Sequence, residues 1–564
     1  MSLLKNYSIL IIIIVIAAAL RLTNLATIPV GFNDDESAFG YNAYSILKSA
    51  RDEWGVYLPF PTFESFGDWK LVVYLYLTAL SQFFFGLNEF ATRLPSAIFG
   101  ILAVFATYLL TNEIFSKFSK SFKSSVALVA SLLVAINPWH IVASRNAFES
   151  DLLTFFIPFG VYLFLKGLKN SKYLFFSVII FVLAFYTYRS SWLFIPLLTS
   201  AIIFLNKDKL SKLKKDLLKN LILCFVLLIP LIPVILTFKG QSRFIQESFI
   251  KGVARSGIIN EINENRGACQ QNINRFVCVI IYNKYNFFLS TYVNNYFQNL
   301  SYKTFFEKAN PTGFQSFATR SNFYLFELPF LIIGLIYIIK KGDQNLKILI
   351  AWLLFAPIGA AFAGTGNFGR LNLIMPASQI VAAFGLVSAI SLIKHDSFRK
   401  VTIATLLLVV IVSIIRLIVD LNIVEPYKTS RYQRYGYKEL FNYLESQKDY
   451  DNFYISSRID NSHQYIHYLY FQKVDPNWYL NNAKRTRGED EWVAFESIGK
   501  YKFVPSVPGL ELIEPKSLVV VGEKEVTFPI APNIIFNDLR GDKIFEVYDI
   551  DKVKEAIVDS NENI

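Results

Sequence analysis

Three consecutive carboxylates, Asp34, Asp35 and Glu36, stand in the stretch "GFNDDESAFGYNAYSILKSA", shortly after an apolar run that reads "YSILIIIIVIAAAL". Neighbouring acids can take a proton from a hydroxyl or hold a divalent cation. A second acidic pair, Glu149 and Asp151, follows Arg145 in "NPWHIVASRNAFESD". Separate cations stand at Lys70 in "FGDWK", Arg189 in "YTYRSSW" and Arg370 in "GTGNFGR". Lys and Arg hold phosphate, Arg in bidentate fashion. Acids that activate a hydroxyl, together with cations that grip a phosphate, are the parts of a group transfer from a phosphate ester.

The elements that must position these residues are membrane helices. The chain of 564 residues is 53% hydrophobic and 16% aromatic, and apolar runs of about twenty residues recur, the length a bilayer-spanning helix needs. A formal charge of +12 would suit a nucleic-acid binder, but its distribution excludes that class. The cations fall in short loops between apolar runs: Lys117, Lys120 and Lys123; Lys166, Lys169 and Lys172; Lys207 to Lys215; Lys340 and Lys341; Lys394, Arg399 and Lys400. That is the pattern of cytoplasmic loops. With those loops inside, the chain threads as about eleven spans, near 7–25, 94–113, 126–144, 150–166, 173–188, 190–206, 219–238, 322–339, 346–363, 370–393 and 401–420. The N-terminus is then cytoplasmic and the C-terminus outside. Lys5 and the small residues Ala17 to Ala19 imitate a signal peptide, but an uncleaved first span fits the membrane-embedded remainder better.

This threading leaves two long outer loops, 26–93 and 239–321. The run "LVVYLYLTALSQFFFGL", 71–87, would flip every later lysine loop if it crossed alone. It is therefore expected to lie along the outer interface, where its aromatic residues suit a headgroup layer. Residues 1–425 form the transmembrane module. Residues 426–564 change composition and read as a small extracytoplasmic α/β domain, with strands at "NFYIS", "SLVVV" and "KIFEVYDI" and helices at "YKELFNYLES" and "HQYIHYLYF". Cys269 and Cys278 share the second outer loop, and an oxidising exterior would join them.

Each residue also has a bland reading. Asp34 or Asp35 can cap the helix that follows. Arg189 or Arg370 can snorkel to headgroups. His140 reads as a hydrogen-bonded interfacial histidine. His463 and His467 have i, i+4 spacing on a helix that looks exposed and lacks nearby acids, so they read as solvated. The joint pattern outweighs these readings. The threading brings Asp34, Asp35, Glu36, Glu149 and Asp151, with Lys70, Arg145, Arg189 and Arg370, to one side of the membrane. A phosphate held there and attached to something greasy is a lipid phosphate, and the implied substrate is a polyprenyl phosphate carrying a transferable group.

At "NDDESAFGYNAYSI", "WKLVVYLYLTALSQFFFGLNEFATRLPSAIFGILAVFATYLL", "NPWHIVASRNAFESDLL" and "FGRLNLIMPASQIVAAFGL" the chain resembles the membrane C-type glycosyltransferases of family 39. That group includes the protein O-mannosyltransferases and is related to the aminoarabinose transferases that modify lipid A. The resemblance covers about residues 1–420; beyond them the chain resembles only the outer domain of uncharacterised bacterial and archaeal members. It implies that the family's Asp-Glu pair falls on Asp35 and Glu36, the aspartate acting on the acceptor hydroxyl, with Asp34 an extra acid. It puts a phosphate-contacting lysine at Lys70 and a donor-side arginine at Arg370. It puts the second acidic motif at Glu149 or Asp151. The family has several metal habits and no histidine-plus-acid set stands out here, so no cofactor is assigned and a divalent metal stays open.

The reading that follows is a plasma-membrane glycosyltransferase. Lys70, Arg189 and Arg370 would hold the donor phosphate, and Asp35 would accept the acceptor's proton. A single displacement would invert the anomeric centre. The acceptor, a protein, lipid or polysaccharide hydroxyl, is not named by the sequence. A transporter or flippase of the same lipid-linked sugars is the alternative, disfavoured because transporters place their sites near the midplane.

Overall fold

Backbone groups in hydrocarbon must close their hydrogen bonds within one segment, and the span-length apolar runs are mainly helical in the described residues. The computed structural model describes residues 2–210, 213–237, 257–307, 313, 315–459, 463–487 and 493–562. Lys212, and 239–256, 308–312 and 314 of the second outer loop, lie outside the described residues. Helix α1, Ser2–Leu22, leads into α2, Asp34–Ser49. A short antiparallel hairpin follows, β1, Thr62–Ser65, and β2, Asp68–Leu71. Then come α3, Val73–Phe85, α4, Glu89–Ile114, α5, Lys120–Ile136, α6, Pro138–Ala143, α7, Leu153–Gly167, α8, Lys172–Phe185, and α9, Ser191–Leu205. Helices α1, α3, α5 and α7 all pack on α4.

Among the described residues, five helices are long and apolar enough to cross a bilayer: Glu89–Ile114, Glu149–Gly167, Lys214–Leu236, Gln344–Ala361 and Asp396–Thr429. The pair Phe368–Ile374 and Ala377–Ser391, bent by 42°, makes a sixth when counted as one span. Other segments read as spans hold shorter helices: Asn6–Leu22, Lys172–Phe185 and Ser191–Leu205, with Lys120–Ile136 and Glu327–Lys341. The segment 71–87 divides. Lys70 does not open a helix but sits on β2, and α3 has only 13 residues, about 20 Å at 1.5 Å per residue against about 30 Å of hydrocarbon. One side of α3 buries Tyr74, Leu75 and Ala79, while Leu80, Phe83 and Phe84 stay exposed.

The C-terminal region builds a seven-stranded mixed sheet from β3, Asn452–Ser456, β4, Ala483–Arg487, β5, Val493–Ile498, β6, Tyr501–Val504, β7, Ser517–Val521, β8, Ile534–Asn537, and β9, Lys543–Asp549. The order is β4-β5-β6-β3-β7-β9-β8. β3 runs parallel to β6 and β7, and the other pairs are antiparallel. "SLVVV" is buried at every position, as a strand covered on both faces must be. Helices Tyr437–Ser446 and Gln464–Phe471 cover one face and Ile550–Glu562 the other.

This sheet shares a core with the first outer loop. Phe32, Ala38 and Tyr41 pack in one apolar cluster with Tyr437, Leu440, Leu469, Tyr470 and Tyr479. A Cβ on Gly40 would stand 2.3 Å from the Tyr470 ring, so α2 meets the helix Gln464–Phe471 through a glycine. Gly31 has φ +77°, and a Cβ there would stand 2.1 Å from the Gln433 carbonyl. Both contacts depend on the missing side chain.

Two measurements test this arrangement. In a Cys224→Ser background, cysteines introduced at Asn170 and Glu496 should react with an impermeant maleimide from opposite sides of sealed vesicles. Labelling from the same side would overturn the threading. Cys269 and Cys278 form a disulfide between the helices Gly257–Gln270 and Arg275–Ile281. Non-reducing peptide mapping should recover these peptides linked, and two free thiols in protein purified without reductant would contradict an oxidising location for the loop.

Candidate active site

The first turn of α2 organises the residues around it. Its N-cap is Asn33, whose side chain accepts from the Glu36 amide at 3.0 Å, while Glu36 reaches back to the Asn33 amide at 3.2 Å. This reciprocal pair is a capping box. It corrects the expectation that Asp34 or Asp35 caps the helix. The three acids occupy the first helical positions, where the exposed amides and the helix dipole favour negative charge, and the carboxylates of Asp34 and Asp35 are left for other work.

Glu36 is fully buried and does far more than cap. Arg93 of α4 donates to it twice, from Nε at 2.8 Å and from Nη2 at 3.0 Å. The amide of Ala147 donates a further bond at 3.0 Å. Arg93 also donates to the carbonyls of Leu25, Pro29 and Gly31. One buried ion pair therefore ties α2, α4, the chain leaving α1 and the loop that carries Glu149. Arg145 acts beside it, donating to the carbonyls of Leu20, Thr23 and Ile28. It braces the end of α1 and does not reach the acids of α2.

Asp35 meets a cation, and among the described residues no other side chain holds it as the capping box and Arg93 hold Glu36. Its carboxylate, 23% exposed, meets Lys70 Nζ at 2.5 Å, and Lys70 also donates to Asp68 at 2.9 Å. Lys70 is fully buried and is presented by the hairpin, whose two-residue turn is Phe66–Gly67. Gly67 has φ 91° and Phe66 φ 45°, the left-handed region that a bulky residue rarely adopts. This strain aims the Phe66 ring at two groups: Lys70 Nζ lies 5.2 Å from its centroid, and the His463 ring stacks on it at 4.3 Å. Backbone strain held by its surroundings marks functional sites. Tyr465 accepts from the Phe66 amide at 3.1 Å and donates to Glu53 at 3.1 Å. Burial pushes the Glu53 carboxyl up to about 7. Arg189 donates to the Trp69 carbonyl at 2.6 Å, pinning the strand beside Lys70.

Asp34 faces the C-terminal region instead. His467 Nε2 donates to it at 2.8 Å, and Arg434 donates from Nε and Nη2 at 3.2 Å. The Nδ1 of His467 then accepts from the Ser37 hydroxyl at 2.8 Å. Burial alone would raise the Asp34 carboxyl, but the His467 hydrogen bond and the Arg434 charge outweigh it and hold the group well below the usual carboxylate range. These contacts correct the reading of His463 and His467 as solvated. His467 is fully buried, and burial lowers the His463 imidazole below its usual value. An open cleft of about 280 Å³ is lined by Asn33, Asp34, Asp35, Phe66, Arg434 and His463, with Tyr432 at its edge.

The second acidic motif lies elsewhere. Asp151 is fully buried, its Oδ1 3.7 Å from Nε2 of His140. His140 in turn bonds Arg21 through Nδ1 at 2.7 Å and Thr154 through Nε2 at 3.0 Å, so it is a hydrogen-bonded histidine, fully buried within the protein. Glu149 is buried in the same turn. Arg370, on the short helix Phe368–Leu371, stands beside this turn: the helix packs against Glu149–Leu152, and Asn372 donates to the Ser150 carbonyl at 2.9 Å. The structure thus joins Asp35 with Lys70, sets Arg189 against the strand beside it, and places the helix of Arg370 next to the turn of Glu149 and Asp151, whose loop bonds Glu36 through the Ala147 amide. Asp34 and Asp35 line the cleft, whereas Lys70, Arg189 and Arg370 do not. Among the described residues no three His, Cys, Asp or Glu side chains gather to hold a metal ion.

Sequence reasoning missed Arg93, Arg434 and both C-terminal histidines as parts of this face. Arg93 had a signal, a charge inside a long apolar helix, and Asn33-x-x-Glu36 had the spacing of a capping box. Arg434 and His467 had none, because they reach α2 from about 400 residues away.

Residues 70–236 match the sequence model of the dolichyl-phosphate-mannose-protein mannosyltransferase family. No curated protein matches the chain. Among solved structures, the apo state of ArnT from Cupriavidus metallidurans is similar at 13% identity and a TM-score of 0.51, over 95% of this chain and 97% of that one. The oligosaccharyltransferase AglB from Archaeoglobus fulgidus, in complex with an inhibitory peptide and a dolichol-phosphate, is similar at 14% identity and a TM-score of 0.50, over 83% of this chain and 64% of that one. The chain thus spans just under two thirds of the length of this oligosaccharyltransferase. The sequence pattern of the mannosyltransferase family over 70–236, set in a helical fold shared with ArnT and AglB, bears out the resemblance to the C-type glycosyltransferases.

Proposed function

We propose that this protein is a membrane glycosyltransferase that moves a monosaccharide from a polyprenyl-phosphate donor to an acceptor hydroxyl at the outer face of the plasma membrane. The observation that carries the reading is the Asp35–Lys70 pair: a part-exposed carboxylate that lines an open cleft, in contact with a buried ammonium behind it. The family match begins at Lys70, and the similar oligosaccharyltransferase is described with a dolichol-phosphate bound. The threading that supports this location puts the N-terminus inside, with 26–93, 239–321 and the unit 426–564 outside.

In the reaction, the acceptor oxygen forms a bond to the anomeric carbon as the carbon–oxygen bond to phosphate breaks. The electron pair of that bond stays on the phosphate, and the hydroxyl proton passes to Asp35. A phosphate monoester leaves readily, so no separate general acid is needed, and a single displacement inverts the anomeric centre. Lys70 is the cation for the charge growing on the leaving phosphate. Its contact with Asp35 is one a phosphate would compete for, and that exchange frees the carboxylate to act as base. Arg370 serves the phosphate from the adjoining group. Arg189, Asp34, Glu36 and Arg145 are positioning residues, since their bonds go to backbone carbonyls, amides or protein charges.

The test separates base from frame. Asp35→Asn cannot take a proton at neutral pH and leaves the Asn33 cap intact, so transfer should fall by about 10²–10⁴-fold with little change in melting temperature. Lys70→Ala should lower donor kcat/KM by about ten- to a hundredfold, as loss of a charge-assisted bond implies. Glu36→Gln should instead destabilise the protein by roughly 3–5 kcal/mol, the cost of stranding a buried Arg93. An Asp35→Asn enzyme with full transfer rate would remove the base assignment. Donor recovered intact after incubation, with no free polyprenyl phosphate, would favour a flippase.

A further inference from the structure

The far end of the helix bundle holds a second polar cavity, one that the transfer reaction does not use. Its volume is about 300 Å³, and its lining includes Lys120, Lys123, Lys166, Lys169, Tyr162 and Asn112. It forms where α4 and α7 end and α5 begins. Asn112 lies 19 residues along α4 from Arg93, about 28 Å of helix at 1.5 Å per residue, so the cavity and the acidic cleft open at opposite ends of the molecule.

The charges in this cavity do not balance. Glu113 is its one acid among the lining residues and is paired with Lys169 at 2.5 Å. Lys120, Lys123 and Lys166 make no ion pair among the described residues. Lys123 and Lys166 are also half-buried, unlike the exposed Lys117 and Lys172 of the same two loops. Lys166 is held in place by two rings, its Nζ lying 5.4 Å from the centroid of Tyr162 and 5.5 Å from that of Tyr173. Lysines that only mark a cytoplasmic loop radiate into water and need no cavity. Here three cations outside any ion pair among the described residues, two of them half-buried, line one open cavity at the level where helices end, beside tyrosine and asparagine groups able to hydrogen-bond.

We propose that this cavity binds the phosphate of a membrane lipid in the leaflet opposite the catalytic cleft. Three ammonium groups match a mono- or dianionic oxyanion, and basic pockets between helix ends are a recurrent headgroup site. A lipid phosphate would also neutralise cations that otherwise repel one another across the ends of α4, α5 and α7. The inference stands independently of the transfer reaction, because none of these residues belongs to the acidic face.

The experiment uses the full chain in detergent, with phosphatidylglycerol, a short polyprenyl monophosphate and sodium phosphate as separate probes. Retained lipid is read by native mass spectrometry and affinity by titration. The variant Lys123→Ala/Lys166→Ala should lose affinity for phosphatidylglycerol by about tenfold or more, as removal of two charge-assisted contacts implies. The control Lys117→Ala/Lys172→Ala should bind like the parent, and phosphatidylcholine should be retained far less than phosphatidylglycerol. A polyprenyl monophosphate whose affinity falls further than that of phosphatidylglycerol would support the site and identify a monoester as its preferred ligand. Equal retention by the first variant and the parent would overturn the proposal, as would an equal loss in the control. Sodium phosphate binding as tightly as the lipids would overturn the lipid assignment. Melting temperatures measured without lipid show whether either variant is merely misfolded, and a less drastic pair, Lys123→Gln/Lys166→Gln, replaces the first variant if it is.

Discussion

The face that carries the acids of α2 depends on one buried ion pair. Glu36 and Arg93 are both removed from water, and an unpaired charge at either position would carry a heavy desolvation cost. The pair avoids that cost because every reach of the two side chains is used: Glu36 accepts from Arg93, Asn33 and Ala147, and Arg93 wraps the carbonyls of Leu25, Pro29 and Gly31. Four chain segments converge on it. The direction of α2 follows from this convergence, and with it the side on which Asp35 leaves the helix. Glu36 and Asp35 are neighbours in sequence with opposite assignments, one spent on the frame and the other turned to the cleft.

A second constraint comes from the C-terminal sheet. The strained Phe66 turn stacks on His463, and Asp34 bonds His467 and Arg434. Two adjacent acids of α2 are thus held from opposite directions, Asp35 by the hairpin and Asp34 by the sheet's helices. The apolar cluster that includes Phe32, Tyr41, Tyr437 and Leu469 makes the first outer loop and the sheet one packed body. The C-terminal region consequently helps to build the cleft, whose lining includes its residues Arg434 and His463.

Much of this was legible in the sequence, for identifiable reasons. Span-length apolar runs separated by lysines follow from bilayer thickness and membrane charge bias. "NFYIS" and "SLVVV" became strands, and "YKELFNYLES" a helix, because their patterns matched only one period. The β1–β2 hairpin was hidden because its turn is Phe-Gly, with a residue that ordinarily avoids φ above zero. His467 was misread as solvated because its neighbours are supplied by α2, about 430 residues away. The cap was assigned to Asp34 or Asp35 when Asn33, one residue earlier, had Glu36 at the right spacing. Local chemistry was readable, and long-range partners were not.

The most direct measurement is an experimental structure of the protein with a polyprenyl phosphate bound. The account predicts phosphate oxygens within hydrogen-bond reach of Lys70, the Lys70–Asp35 contact opened, and the Asp35 carboxylate facing the cleft lined by Asn33, Phe66 and His463. The phosphate should lie on the hairpin side, with its tail leaving toward the bilayer. A phosphate bound only away from Lys70, with the Asp35–Lys70 pair still closed, would contradict the assignment of this acidic face as the site of transfer.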